Sequence, residues 1–147
     1  TQYDALQYIA NPSDRVQMAT VKSNYLALRY IQNPTLEILK AAVLQDPQAM
    51  RQITNLDLDT VLELLKVSTL ILGYVPKQLG LTVDMVRQII TEMIANPAVE
   101  ERYVRELVSN PAIGGRQSTW PIDILSLVDV YGSVQAKKIA IDQYLLY

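Results

Sequence analysis

The chain has 147 residues, half of them apolar and 19% charged, a composition that suits one globular domain with a real core and not a disordered segment. Its net charge of −2 lacks the basic excess that phosphate neutralisation requires, so nucleic acid is not an expected partner. Cysteine and histidine are absent, which excludes disulfides, thiolate nucleophiles, Cys- or His-ligated metals and histidine acid–base catalysis.

A repeat with a period of 22 residues runs through the first half of the sequence. Residues 3–12 recur as residues 25–34, with alanine, leucine, tyrosine and isoleucine in matching places. A fixed period of this size predicts stacked helix–turn–helix units, each of which buries its apolar face against its neighbours. The predicted pairs of short and long helices are residues 3–10 with 12–23, 25–32 with 34–45, and 47–54 with about 58–75.

Asparagine or aspartate precedes five of the seven prolines, and these pairs mark the predicted helix boundaries. An Asx side chain at an N-cap accepts a hydrogen bond from a free N–H, and proline at the first helical position loses no bond. Each pair is therefore predicted to begin a helix. In particular, Asn33 is expected to cap a helix that opens at Pro34.

Beyond Val75 the period is lost, but apolar residues continue at helical spacing. Further helices are predicted around residues 86–93, over 97–109 and 121–131, and from 133 to 146. No segment shows the alternation of a strand. The expected fold is all-α and forms a single domain over residues 1–147: a short α-solenoid of tandem repeats at 3–75, continuing into a non-repetitive helical extension at 76–147.

Two features offer candidate contacts for a partner. Arg29 and Arg51 share one position of the repeat, and equivalent positions of stacked units form a row on one surface. Arg116 lies in the loop Gly114-Gly115-Arg116-Gln117-Ser118-Thr119, where glycine N–H groups and a guanidinium can bind an oxyanion. That loop lacks P-loop spacing, so a plain connection between helices is the favoured interpretation.

Aromatic residues complete the candidate interface, because tyrosine and arginine are enriched in interface hot spots. Tyr25 begins the second short helix, and Trp120 stands just before Pro121. Core packing is the alternative for the aromatic side chains, and solvation is the alternative for the arginines. The predicted partner-binding residues are Arg29, Arg51, Arg116, Tyr25 and Trp120.

Carboxylates offer the remaining route to catalysis. Asp57 with Asp59 and Glu100 with Glu101 lie near predicted helix starts, where acids compensate the helix dipole. A glycosidase or a divalent-metal site would need a second converging acid pair. No catalytic residue, metal ligand or cofactor is predicted. The Lys137-Lys138 pair is too small a basic patch for a membrane, and the apolar stretch at 61–75 is interrupted by charges, so no membrane contact is expected.

The pattern Tyr-Ile-x-Asn-Pro-[Ser/Thr]-x-x-[Val/Ile]-x-x-Ala-x-Val, at residues 8–21 and 30–43, resembles short tandem helical repeats of uncharacterised bacterial, phage and large-virus proteins. More distantly it is similar to the variant leucine-rich repeat, which pairs a short helix with a longer one. The resemblance covers about residues 3–75. It implies a right-handed α-solenoid with a binding role, no catalytic residues, and a small phage-encoded protein as the source.

These observations favour a non-enzymatic protein–protein interaction module, such as a phage-encoded regulator or inhibitor of a host protein. One alternative is a structural or assembly protein of a virus particle, and another, less favoured, is a small carboxylate-dependent enzyme. The expected location is the cytoplasm; for a phage-encoded protein it is the host cytoplasm or the virion. The oligomeric state and the identity of the partner are left open by the sequence.

Overall fold

The computed structural model describes residues 13–114 and 118–145, and this part of the chain is mostly helical. No strand occurs in these two ranges, where a single isolated parallel bridge joins Ile113 to Trp120. The prediction of an all-α protein is therefore confirmed. Within the same ranges, no helix is both long enough and apolar enough to cross a bilayer.

The α-helices are α1 (Asp14–Ser23), α2 (Leu36–Gln45), α3 (Leu58–Leu65), α4 (Val83–Ala95), α5 (Glu101–Ser109), α6 (Ile124–Tyr131) and α7 (Val134–Leu145). Between them lie the 3₁₀ helices Tyr25–Tyr30, Pro47–Gln52, Thr69–Tyr74 and Lys77–Leu79. The predicted short helices of the second and third units are thus 3₁₀ helices. The first predicted short helix, at residues 3–10, lies outside the described residues.

The 22-residue spacing recurs in the secondary structure through three units. Helices α1, α2 and α3 begin 22 residues apart, and so do the first three 3₁₀ helices. The prediction of one long helix over residues 58–75 is wrong, because α3 ends at Leu65 and a separate 3₁₀ helix follows. Ser68 caps that 3₁₀ helix by accepting a hydrogen bond from Leu70 N, as Asn24 accepts one from Leu26 N two units earlier.

The predicted role of Asn33 is also wrong. Thr35, not Asn33, caps α2: its hydroxyl accepts a hydrogen bond from Ile38 N at 3.3 Å. Asn33 instead adopts a left-handed conformation with φ of 50°, and Asn55 does the same one unit later with φ of 55°. Asparagine tolerates this region better than most residues, so its place in the turn is conformational.

Only one of the described Asx-Pro pairs begins a helix. Asp46 caps the 3₁₀ helix that opens at Pro47. Asn96 and Asn110 lie instead at the ends of α4 and α5, where each side-chain oxygen accepts a hydrogen bond from the N–H two residues ahead. Such Asx turns close a helix as readily as they open one, since the side chain bonds its own local backbone in either case.

Helix contacts follow two rows. In the first row α1, α2, α3, α4 and α6 pack in that order, each against the next. In the second row the 3₁₀ helices Tyr25–Tyr30, Pro47–Gln52 and Thr69–Tyr74 pack in order and are followed by α5 and then α7. The chain passes from one row to the other and back, and this alternation continues after the sequence repeat has ended.

The core lies between the two rows and reuses the same repeat positions. Val21, Val43 and Leu65 are buried at one position, and Ala27, Ala49 and Ile71 at another. In the second half, the apolar residues of α4 and α5 and the isoleucines at 113, 122 and 124 extend the same cluster. Apolar burial of this kind is the main source of stability for stacked helices.

A buried polar joint connects the repeats to α5. Within the described residues, the buried polar side chains are Ser68, Thr69 and Asn110. The Asn110 amide donates to the carbonyl oxygen of Thr69 at 3.1 Å and to its hydroxyl at 3.3 Å, and the Ser68 hydroxyl donates to Glu106 at 3.3 Å. Because each of these three side chains has a hydrogen-bond partner, the joint fixes the position of α5 against Thr69–Tyr74.

Candidate functional site

The two predicted arginines lie on the second row and reach from one unit to the next. The Arg29 Nη2 donates to Gln52 Oε1 at 3.3 Å, and the Arg51 guanidinium lies 5.1 Å from the centre of the Tyr74 ring. Both arginines are exposed. Each contacts the residue 23 positions ahead, so they form a regular row that also ties neighbouring 3₁₀ helices together.

Tyr25 is half-buried at the first junction between the rows. Its backbone N–H donates to the side-chain oxygen of Gln45 at 2.6 Å, and the same Gln45 amide donates to the carbonyl of Lys22. Gln45 of the second unit therefore bonds the backbone at the end of α1 and at the start of the 3₁₀ helix Tyr25–Tyr30 in the first. This position holds Tyr25 on the same row as Arg29 and packs its ring against the core.

Trp120 is a core residue, with only 9% of its surface exposed. Its carbonyl accepts hydrogen bonds from Gly114 N and Ile122 N, and its N–H donates to Ala112, which folds the connection after α5 back on itself. Trp120 also lines a cavity of about 530 Å³ together with Val75, Pro76 and Leu81. Trp120 therefore packs in the core, which is the alternative that the sequence left open for it, and its role in partner binding stays a prediction. Arg116 lies outside the described residues.

A cleft on the first row groups cations that the sequence analysis did not connect. The basic cleft, as we call it, has a volume of about 420 Å³ and receives residues from five parts of the chain: α1, α2, the end of α3, the end of α4 with the turn that follows it, and the start of α5. Its charged lining consists of the cations Lys22, Lys40, Lys66 and Arg102 and the carboxylates Glu37 and Glu100. Lys22 and Lys66 are two repeat lengths apart, and this spacing is the sequence signal that could have predicted a shared surface for the two lysines.

The cations of the basic cleft differ in how firmly they are held. Lys40 is 3.7 Å from Glu37 and Lys66 is 3.1 Å from Glu63, both as surface pairs within one helix or its end. Arg102 is fixed more tightly, with Nη1 at 2.8 Å from Glu106 and Nη2 at 2.9 Å from the Val67 carbonyl. Lys22 makes no ion pair with any residue in the described part of the chain.

Apolar groups share the basic cleft with these cations. Leu44 is 52% exposed there, and Met18, Ala41 and Val67 lie beside it. Tyr103 also contributes to the wall; its hydroxyl is buried and, among the described residues, has no hydrogen-bond partner. Burial raises the pKa of Tyr103 well above its usual range. The cleft is therefore amphipathic, because charged and apolar side chains both line it.

A second concave surface lies at the far end of both rows, between α6 and α7. The apolar groove is lined by Leu125, Val128, Ala140, Ile141 and Tyr144, with Asp129 and Lys137 at its edge. Its volume is about 260 Å³, and Tyr144 is 61% exposed. Apolar side chains grouped in this way on a surface are typical of interaction sites.

The carboxylates with shifted pKa values act as helix caps. The side chain and backbone N–H of Thr60 lower the pKa of Asp57, which caps α3. The backbone N–H and hydroxyl of Ser126 lower the pKa of Asp123 in the same way at α6. No group of three or more acidic side chains suited to a metal ion occurs in residues 13–114 and 118–145.

In comparisons with known proteins, no protein-family model, no curated protein and no solved structure matches the chain.

Proposed function

We propose that this chain is a non-enzymatic protein-binding module, built as a short α-solenoid whose basic cleft docks a protein partner. The two rows of helices support the solenoid, because the helices of successive units contact each other in chain order along each row. A module of this kind regulates or inhibits another protein by occupying a surface on it. The cytoplasm is the proposed location.

The observation that carries the proposal is the extent of the basic cleft. It takes side chains from three successive units, Met18 and Lys22 from the first, Lys40 and Leu44 from the second, and Lys66 from the third. Solenoids commonly bind their partners on surfaces of this kind, continuous across several repeats. An exposed leucine among lysines is suited to the mixed apolar and polar contacts of a protein interface.

Arg29 and Arg51 form a second candidate surface on the opposite row. Their contacts with Gln52 and Tyr74 hold them in place, which lowers the entropy lost when a partner binds. The same contacts give them a structural role, and the Arg29/Arg51 row is therefore the weaker of the two surfaces as a docking site.

The proposal is tested by affinity purification from the native source with mass spectrometry, using matched variants. Lys22→Gln with Lys66→Gln alters the basic cleft, and Arg29→Ala with Arg51→Ala alters the second row. A third variant, Arg15→Gln with Lys138→Gln, removes the same amount of charge from exposed positions outside the cleft.

We expect a protein that is retained by the wild type and by the charge control but is lost from the cleft variant. All variants should keep the wild-type melting temperature to within a few degrees, so that a loss of binding is not a loss of folding. If the cleft variant retains every partner that the wild type retains, docking at the basic cleft is refuted.

The alternative of an assembly protein of a virus particle is favoured by one observation, the apolar groove between α6 and α7. Self-association needs an apolar surface of this sort, and Ile141 is exposed within it. Light scattering coupled to size exclusion separates the two functions. A monomer favours the binding module, whereas a ring or larger assembly that Ile141→Asp dissociates favours the particle component.

A further inference from the structure

We propose that the apolar groove between α6 and α7 is the contact surface of a closed dimer, in which a second copy of this chain covers the groove about a two-fold axis. The inference goes beyond the proposed function, because it concerns a different surface: the groove and the basic cleft have no lining residue in common. It is drawn from the distribution of exposed apolar residues, the position of the groove in the fold and the charges at its edge.

Exposed apolar residues are concentrated on the last two helices. Of the large apolar residues that are exposed in residues 13–114 and 118–145, all but Val16 and Leu44 lie on α6 or α7. Those on the two helices are Leu125, Val130, Tyr131, Val134, Ile141, Tyr144 and Leu145. Single exposed residues of this kind are normal on a protein surface, whereas a group on neighbouring helices is typical of an interface.

The composition of α6 is that of a helix covered on more than one side. Apart from Ser126 and Asp129, every residue of α6 is apolar or aromatic, and a helix that is apolar all round is normally buried. Its contacts with α4, α5 and α7 bury only Ile124 and Val128. Leu125 is left exposed at the groove.

Helix α7 has the same excess of apolar surface. Ala136, Ile139 and Ala140 are buried, while Ile141 and Tyr144 are exposed at the groove. In the described part of the chain, α6 and α7 are the last helices of the two rows. A stack of helical units needs a polar outer side at its end to stay in solution, and this end presents an apolar one. A further protein layer is therefore expected to cover it.

The charges at the edge of the groove indicate a second copy as that layer. Asp129 of α6 and Lys137 of α7 lie at the edge, and neither has an ion pair in the described part of the chain. Asp129 precedes the turn Gly132-Ser133 by three residues and Lys137 follows it by four, so both charges lie toward the same end of the groove. One acid and one base on the two sides of an apolar groove are complementary to their own two-fold image.

A two-fold axis along the groove lays α7 of one copy over α6 of the other. Asp129 of each copy then faces Lys137 of the other, and Leu125, one turn further from the connection, faces Ile141. Both charge contacts and the apolar contact are thus supplied by one surface, as an isologous interface requires. Such a contact closes at two copies. A closed pair is not the ring or larger assembly of a particle component, and it leaves the proposed function in place.

The test measures the association of the full chain by analytical ultracentrifugation over a range of protein concentrations. Asp129→Lys and Lys137→Asp are studied alone and then as an equimolar mixture. In either variant alone both edge contacts join like charges, so we expect the dissociation constant of the dimer to rise by about tenfold. In the mixture every edge contact again joins opposite charges, and a mixed dimer should form with nearly the wild-type affinity.

Lys77→Asp is the matched control, because Lys77 is exposed and lies outside the groove. It should associate like the wild type, and all variants should keep the wild-type melting temperature to within a few degrees.

The remaining outcomes each overturn the inference. A wild type that stays monomeric at every concentration has no dimer contact, and one that forms rings or larger assemblies has no closed pair. A dimer that neither charge variant weakens is held by another surface. A dimer that both variants weaken, but that their mixture does not restore, lacks the two-fold pairing of Asp129 with Lys137. None of these results bears on docking at the basic cleft, which the affinity purification tests separately.

Discussion

Single side-chain oxygens decide where the helices of this chain begin. Ser13, Thr35 and Asp57 lie 22 residues apart, and each accepts a hydrogen bond from the N–H three residues ahead. The left-handed asparagines at 33 and 55 lie two residues before the last two of these caps. One residue therefore caps the helix and another forms the turn before it, as Thr35 and Asn33 do at α2. Substitutions at these two positions should have different effects on stability.

We expect Thr35→Ala to lower the free energy of unfolding by about 1 kcal/mol, because it removes the bond to Ile38 N. Thr35→Ser should be neutral. At Asn33 the positive φ decides which residues are tolerated. Asn33→Gly should therefore leave the free energy of unfolding almost unchanged, and Asn33→Val should lower it by about 1–2 kcal/mol. Urea denaturation of the four variants measures this. Equal losses for Asn33→Gly and Thr35→Ala would contradict the assignment of the cap.

Tyr103 is the one side chain of the described core with a buried polar atom that lacks a partner. An unpaired buried hydroxyl costs free energy that an apolar side chain of the same shape does not. We expect Tyr103→Phe to raise the free energy of unfolding by about 1 kcal/mol at neutral pH. Thermal denaturation measures the change, and a clear fall in melting temperature would show that the hydroxyl has a favourable contact in solution.

The same residue predicts a sensitivity to alkali. Burial raises the pKa of Tyr103, the Arg102 charge opposes that shift, and the Glu106 charge adds to it. Because the folded-state pKa lies above the value of about 10 in an unfolded chain, stability is complete below that pH and falls as the pH rises further. The fall from this group approaches about 1.4 kcal/mol per pH unit. Tyr103→Phe should reduce the alkaline slope, and an unchanged slope would contradict the assignment.

At the scale of the elements, the turn between α6 and α7 depends on a residue without a side chain. Gly132 donates to the Val128 carbonyl at 2.8 Å, and a Cβ at this position would lie 2.5 Å from that same oxygen. The next residue, Ser133, donates its N–H to Ile94 and accepts from Ala136 N through its hydroxyl. The turn thus ties the start of α7 to the end of α4.

We expect Gly132→Ala to destabilise the protein by about 1–3 kcal/mol, since the backbone oxygen cannot move without shifting α6. Gly73→Ala is the matched control, because a Cβ at Gly73 meets nothing within 4 Å. Its effect should stay within about 0.5 kcal/mol. Denaturation curves of the two variants decide the matter, and similar losses in both would refute the steric explanation.

The buried polar joint between the repeats and α5 can be tested at Asn110. Asn110→Ala removes two hydrogen bonds to Thr69 and leaves the buried Thr69 carbonyl without that partner. We expect a loss of about 2 kcal/mol in urea denaturation. Ser109→Ala, at the exposed neighbouring position, should cost far less. A small effect at Asn110 would mean that apolar packing alone positions α5.

For the whole molecule, the order of the two rows determines which side chains can meet. Lys22 and Arg102 are distant in sequence, yet both line the basic cleft because the first row brings the helix ends together beside the turn from α4 to α5. Carboxylates meet these cations in the same place: Glu37 and Glu100 also line the cleft and pair with Lys40 and Arg102. Packing of the rows therefore brings together charges of both signs that are distant in sequence.

The sequence by itself determined the helical class and the length of the repeat. Apolar residues at helical spacing and a 22-residue period specify these features locally, without knowledge of the neighbours in space. The same locality explains the errors. Asn33 and Thr35 are both good cap residues two positions apart, and only the backbone conformation shows which one is the cap. Residues 58–75 are largely apolar and therefore look like one helix in the sequence. In the structure α3 ends at Leu65, and Ser68 caps a separate 3₁₀ helix.

Only the tertiary structure decided how the second half is arranged and where the cations meet. Helices α5 and α7 carry no repeat signal, yet they follow the 3₁₀ helices in the second row because packing depends on which apolar faces match. Trp120 became a core residue for the same reason. The basic cleft joins residues from five parts of the chain that are distant in sequence. A local sequence pattern cannot predict such contacts, because they form only when the rows pack against each other.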